Sequence, residues 1–256
     1  MNGAVMFARY AYPPNALGYC GPDDPSALLG YLDAGPGDAG LADLARRFAG
    51  AWPYLALIAA ANGRPDPLDR TVVEAYWLGN RLLERVPGGL FAAHLRDRFA
   101  DRAGRGFADL AELAVLGAPP HHNFHVFAVY PWVGLLRAGP DPSVAEPMRV
   151  LDSCRIRWGT VVAVRGGSAD VRSPPLQWDG RRLRLGPPVV RPARVSTAGG
   201  GLARAVAPGD TVALHWDWVC DVLRPRQLRA LVRYTGSCLS LVNDALRRPV
   251  PAVVLD

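Results

Sequence analysis

Two short segments decide the fold: Cys154-Arg-Ile-Arg-Trp-Gly-Thr-Val161 and Gly209-Asp-Thr-Val-Ala-Leu-His215-Trp-Asp-Trp-Val-Cys220. Each combines β-branched and aliphatic residues with glycine turns, a pattern typical of strands in a small closed sheet. The first predicted strand begins just after a cysteine, and the second ends at a histidine. The chain before Cys154 has the patterns of helices, and the chain after Arg224 has the pattern of one closing helix. These patterns predict an α+β protein.

The predicted order is an N-terminal all-helical domain over residues 1–140, then a small OB-like (oligonucleotide-binding-like) β-barrel with a closing helix over residues 150–248. An irregular, aromatic lead-in is expected over residues 7–25, because prolines and glycines in that segment argue against a continuous helix. The pattern of residues 121–137 fits a strand and a helix equally well, and both remain open.

The motif Cys154-x4-Gly159-x-Val161, followed by Gly209-Asp-x-Val-x-x-His215, resembles the small assembly chaperones of [NiFe]-hydrogenase maturation. The resemblance covers about the last third of the chain. In that family the cysteine at the start of a short barrel holds an iron–cyanide–carbonyl unit, and a histidine follows in a later strand. The resemblance implies that Cys154 and His215 bind a metal fragment or a hydrogenase precursor. It also implies a chaperone or scaffold rather than an enzyme.

Three of the five histidines lie close together at His121, His122 and His125. Positions 121 and 125 share a face on a helix and also on a strand, so in either case two imidazoles can converge on zinc, nickel or iron. The same histidines can instead cap the preceding Pro-Pro turn or pack with the neighbouring phenylalanines. Cys154 with His215 is the stronger pair, because two strands distant in sequence can meet in one small sheet. Further candidates for the same site are Cys20, Trp216, Asp217 and Cys220.

The composition excludes several classes of protein. The net charge of +6 is carried by arginine alone, because the 256 residues contain no lysine. A Walker A phosphate loop and a pyridoxal phosphate Schiff base both require lysine, so neither is expected. The arginines are scattered, which favours solvated helix faces over a nucleic-acid surface. The apolar runs are too short and too interrupted to cross a membrane, and the N-terminus lacks the features of a signal peptide.

The resemblance implies an accessory protein of hydrogenase maturation that binds iron as an iron–cyanide–carbonyl unit, or nickel or zinc, and a cytoplasmic location is expected. Its expected partner is a hydrogenase large-subunit precursor or another maturation factor. The alternative is a metal-dependent or Cys–His enzyme whose site lies where the two domains meet. A third hypothesis is an arginine-rich OB barrel that binds single-stranded nucleic acid.

Overall fold

The computed structural model describes residues 2–34, 39–103, 107–129, 145–197, 200–202 and 205–247. The helices of the N-terminal part are α1 Gly3–Ala16, α2 Ser26–Ala34, α3 Ala39–Arg46, α4 Trp52–Ala61, α5 Arg70–Trp77, a 3₁₀ turn Leu83–Arg85, α6 Gly88–Ala103, α7 Phe107–Val115 and α8 His122–Phe124. Helix α8 continues directly into a π-helical turn, His125–Val129. Helix α9, Ala145–Cys154, leads into the sheet, and α10, Pro225–Arg247, closes the chain. The protein is therefore a mixture of helix and sheet with a C-terminal helix, as predicted.

Helix α1 differs from the structure predicted for the N-terminal segment. The predicted irregular lead-in over residues 7–25 is wrong up to Ala16, because α1 is helical and contains both Pro13 and Pro14. Proline has no N–H, so Pro13 and Pro14 each cost the helix a hydrogen bond to the carbonyl four residues earlier, and such a loss usually ends a helix. Asn2 caps the start of the helix by accepting a hydrogen bond from the N–H of Ala4 at 2.9 Å. Aromatic and aliphatic side chains of α1 are buried, and this burial favours the helix.

The strands are β1 Arg157–Arg165, β2 Ser168–Ser173, β3 Leu176–Trp178, β4 Leu183–Leu185, β5 Val189–Arg194, β6 Ser196–Thr197, β7 Gly200–Gly201, β8 Thr211–His215 and β9 Trp218–Val222. The main pairings run β1-β2-β5-β9-β8 and return from β8 to β1. All are antiparallel except β5 with β9, which is parallel. Two small hairpins, β3-β4 and β6-β7, stand outside this ring.

The ring of strands encloses a small aliphatic core. Alternate residues of the strands point inward, as the two-residue period of a strand requires. The inward residues are small and aliphatic, so they fill the narrow interior: Val161, Ala169, Val171, Ala193, Val212, Leu214 and Val219. Because β1 and β8 are antiparallel neighbours with Arg157 opposite Leu214, the start of β1 lies beside the end of β8.

One larger core joins the N-terminal helices to the strands. Its buried side chains include Phe7 of α1, Trp77 of α5, Trp218 of β9 and Cys238 of α10. The predicted boundary between the two domains falls in residues 140–150: residues 140–144 lie outside the described part of the chain, and residues 145–150 belong to α9. In the segment 121–137, for which the sequence allowed a strand or a helix, residues 122–129 are helical. The residues of this segment after Val129 lie outside the described part of the chain. Within the described residues, no helix is both long enough and apolar enough to cross a membrane.

Candidate metal centre

Three side chains of types that can bind a metal meet in the interior: His122 from α8, Cys154 from the end of α9 and His215 from the end of β8. One potential ligand atom from each lies within 4.8 Å of the other two. His215 is completely buried, and His122 and Cys154 are exposed by only 6% and 9%. A thiol and two imidazoles are thus grouped where the helices and the strands share one core.

The amide of Asn123 fixes two of the ligand-bearing segments relative to each other. Its Oδ1 accepts from the N–H of Ile156 at 2.8 Å, and its Nδ2 donates to the carbonyl of Ile156 at 3.3 Å and to Oγ1 of Thr235 at 2.9 Å. Asn123 directly follows His122, and Ile156 lies two residues after Cys154. These hydrogen bonds therefore hold the ends of α8 and α9 side by side.

His215 has the hydrogen-bond pattern of a metal ligand. Its Nδ1 donates to the carbonyl oxygen of Tyr10 at 2.6 Å, which leaves the lone pair on Nε2. Among the described residues Nε2 has no hydrogen-bond partner, although it is buried. In an α-helix the carbonyl of Tyr10 would accept from residue 14, but Pro14 has no N–H to donate. The proline therefore frees the carbonyl that orients the imidazole, as backbone carbonyls commonly do for metal-bound histidines.

His122 is oriented by hydrogen bonds at both ring nitrogens. Nε2 lies 2.9 Å from the carbonyl oxygen of Cys154 and must donate to it, because a carbonyl only accepts. Nδ1 therefore accepts from the Tyr76 hydroxyl at 3.2 Å. The Trp77 ring packs against both imidazoles, with its centroid 4.6 Å from His122 and 5.7 Å from His215. To bind a metal, His122 has to give up one of its two hydrogen bonds.

Burial makes the three side chains electrically neutral. Removal from water lowers the pKa of His122 to about 4 and lowers that of His215 well below its ordinary value. Burial also raises the pKa of the Cys154 thiol, and the neighbouring thiol of Cys20 raises it further. A thiol with a raised pKa is a poor nucleophile at neutral pH, because the thiolate is the reactive form. The same thiol can ionise when a cation replaces its proton.

An aromatic cover lies over the Cys154 side of the cluster. Trp216 follows His215 and donates its backbone N–H to the carbonyl of Ser153 at 2.7 Å. Its φ of 53° lies in the left-handed region, which a bulky residue rarely adopts. The Tyr19 ring packs on Trp216 with centroids 4.4 Å apart, and Arg149 lies over the same indole and donates to the Tyr19 hydroxyl at 3.1 Å. Cys20, half-buried beside Tyr19, is the second thiol near Cys154.

The other predicted site residues lie apart from this cluster. His121 caps α8 by accepting from the N–H of Asn123 at 3.0 Å, and its ring stacks on Tyr234. His125 is hydrogen-bonded to the Tyr54 hydroxyl at 3.0 Å. Asp217 is half-exposed and forms a 2.9 Å ion pair with Arg194, and Cys220 is buried in β9.

Sequence reasoning missed three residues that surround the imidazoles: Tyr10, Tyr76 and Trp77. None carries a motif, because the contacts arise only when α1, α5 and β8 pack together. Pro14, four residues after Tyr10, was the one local signal of a free carbonyl in α1. In the sequence alone, Pro14 indicates only a break in a helix.

Comparison with known proteins places the whole chain in one group. A family model described as a family of unknown function (DUF6390) matches residues 1–249. No curated protein and no solved structure matches the chain.

Proposed function

Because the chain belongs to the DUF6390 family, whose function is unknown, its activity has to be argued from its own residues, and we propose that it binds one soft transition-metal ion through His122, Cys154 and His215. The observation that carries the proposal is the convergence of these three donors, with the buried Nε2 of His215 left unpartnered among the described residues. One thiolate and two imidazoles suit iron, nickel or zinc. Three protein ligands leave a fourth position for a diatomic ligand, a water or a partner's side chain.

We further propose that the metal is held for delivery during [NiFe]-hydrogenase maturation, with iron as the first candidate and nickel or zinc as the others. The support is the motif resemblance together with the placement of its two key residues, Cys154 before β1 and His215 at the end of β8. The strand order β1-β2-β5-β9-β8, with β5 and β9 parallel, supports describing the ring as an OB-like barrel. The partner would be a hydrogenase large-subunit precursor or another maturation factor.

Access to the cluster would require the cover to move. Tyr19 and Trp216 close the Cys154 side, and the Tyr19–Arg149 contact is an exposed interaction that costs little to break. We propose that binding of the partner displaces the segment of Tyr19 and Cys20. The thiol of Cys20 would then be the first ligand that an incoming or departing metal meets.

A cytoplasmic location is part of the same proposal. All four cysteines lie in the described residues and are free thiols, as is usual in a reducing compartment. The alternative, a Cys–His enzyme, is less well supported, because burial raises the pKa of Cys154 and the thiolate that such an enzyme needs is disfavoured.

A comparative pull-down tests the biological role. Tagged wild type, Cys154→Ala and Cys238→Ala would be isolated from native cells under anaerobic conditions, and the metal and protein content of each eluate would be measured. Cys238 is a matched control, because it is also a fully buried thiol but lies in α10, outside the cluster. Iron or hydrogenase precursor should accompany the wild type and Cys238→Ala and be lost from Cys154→Ala. Identical eluates from all three would refute the proposed role.

A further inference from the structure

A small cavity opens at the end of the strand ring where β1 begins and β2 and β8 end. Its walls are partly the aliphatic interior of the ring and partly two arginines. The residues that line it include Arg157, Val171, Ser173, Arg191, Ala193 and Leu214. None of the three proposed metal ligands lines this cavity.

The charges around the cavity do not balance. Asp152 is the carboxylate buried beside it, and its Oδ1 already accepts from Nε and Nη2 of Arg155, at 3.1 and 2.9 Å, and from the N–H of Leu176 at 2.8 Å. Its Oδ2 accepts from Nη1 of Arg191 at 3.2 Å. Arg155 and Arg191 thus share one carboxylate, while the third guanidinium group beside the cavity, that of Arg157, forms no hydrogen bond to it within the described residues.

Arg157 is the group left without a counter-ion. The residue is 9% exposed, and within the described residues it forms no ion pair with a carboxylate. Nη2 donates to the carbonyl oxygen of Trp216, while Nε is buried without a hydrogen-bond partner in the described part of the chain. Asp217 also interacts electrostatically with Arg157, but it lies at the surface and forms an ion pair with Arg194 at 2.9 Å. Burying a charge without a partner is costly, so this arrangement calls for an anion.

We propose that this cavity binds a small oxyanion, of the carboxylate or phosphate type, between Arg157 and Arg191. A guanidinium presents its N–H groups in a planar fork that matches two oxygens on one atom. Arg157 supplies a buried charge and Arg191, half-exposed at the mouth, supplies a second one. Both arginines line the cavity, and one is buried while the other is half-exposed, so an anion in the cavity lies beside both residues.

Anion titrations of the full-length protein test the proposal. Thermal unfolding would be followed in acetate and in inorganic phosphate, against chloride at equal ionic strength, with the Arg157 side-chain ¹Hε–¹⁵Nε signal as a local probe. We expect at least one oxyanion to raise the Tm beyond chloride and to shift the Arg157 signal. Response to acetate alone identifies a carboxylate ligand, and response to phosphate identifies a phosphate-type ligand.

Two variants decide whether the arginines are responsible. Arg191→Met should weaken anion binding about tenfold or more, since a hydrogen bond to a charged group is lost. Arg172→Met removes an exposed arginine of β2 that does not line the cavity, and its affinity should be unchanged. Arg157→Met should abolish binding, and if that variant fails to fold, Arg191→Met alone carries the test. Equal effects of oxyanion and chloride on the wild type, or undiminished binding by Arg191→Met, would overturn the proposal.

Discussion

Replacing Asn123 by alanine should destabilise the protein more than most single substitutions do. The change removes three buried hydrogen bonds, two to the backbone of Ile156 and one to Thr235. At about 1 kcal/mol for each bond, the loss is about 3 kcal/mol. The N–H and carbonyl of Ile156 would also remain buried without partners, which brings the expected cost to roughly 3–5 kcal/mol. This is a large part of the 5–15 kcal/mol that typically stabilises a protein.

Urea unfolding followed by tryptophan fluorescence measures this cost. Thr235→Val is the matched control, because it removes one of the three hydrogen bonds and keeps the shape of the side chain, so it should cost only about 1 kcal/mol. The midpoint of Asn123→Ala should fall well below that of Thr235→Val, with the slope of the transition unchanged. If the two variants unfold at the same urea concentration, Asn123 does not hold the ligand-bearing segments together as argued.

Two further predictions concern the histidines. Pro14→Ala supplies an N–H that competes for the carbonyl of Tyr10. The Nδ1–H tautomer of His215, which donates to that carbonyl, should therefore lose population, as measured by ¹⁵N NMR of the ring. An unchanged tautomer would show that Pro14 does not affect the orientation of His215. Burial lowers the pKa of His125 to about 3, so the folded protein keeps this ring neutral while the unfolded chain protonates it below about pH 6.5. Its contribution to stability is therefore complete above that pH and is lost as the pH falls toward 3. Between pH 5.5 and 4.5 the free energy of unfolding should fall less steeply for His125→Asn than for wild type. The two slopes should differ by about 1.4 kcal/mol per pH unit, and equal slopes would contradict the lowered pKa of His125.

The sequence predicted strands β1 and β8 and the closeness of Cys154 to His215, and the reason is local. Cys154 precedes one β-branched run and His215 ends another, so antiparallel pairing of the two strands brings them together. The pairing of β5 with β9 was not predictable in this way, because it depends on contacts between distant segments. The same limit applies to the histidine triplet, where only packing against α5 and α9 distinguishes His122 from His121 and His125.

Helix α1 shows where local rules failed. The content of proline and glycine predicted irregular structure, yet burial of Phe7, Tyr10 and their neighbours maintains a helix through Pro13 and Pro14. Tertiary packing outweighed the lost hydrogen bonds. One of those losses left the carbonyl of Tyr10 available to His215.

The central claim is that His122, Cys154 and His215 bind one metal ion, and a cobalt titration of the purified, reduced protein tests it most directly. Co²⁺ substitutes for zinc, iron or nickel, and its absorption spectrum reports a bound thiolate through a sulfur-to-metal charge-transfer band. We predict one Co²⁺ per chain with that band in the wild type and in Cys238→Ser. The band should be absent from Cys154→Ser, and affinity should fall in His215→Ala. A wild type that binds no Co²⁺, or a charge-transfer band that persists in Cys154→Ser, would contradict the claim.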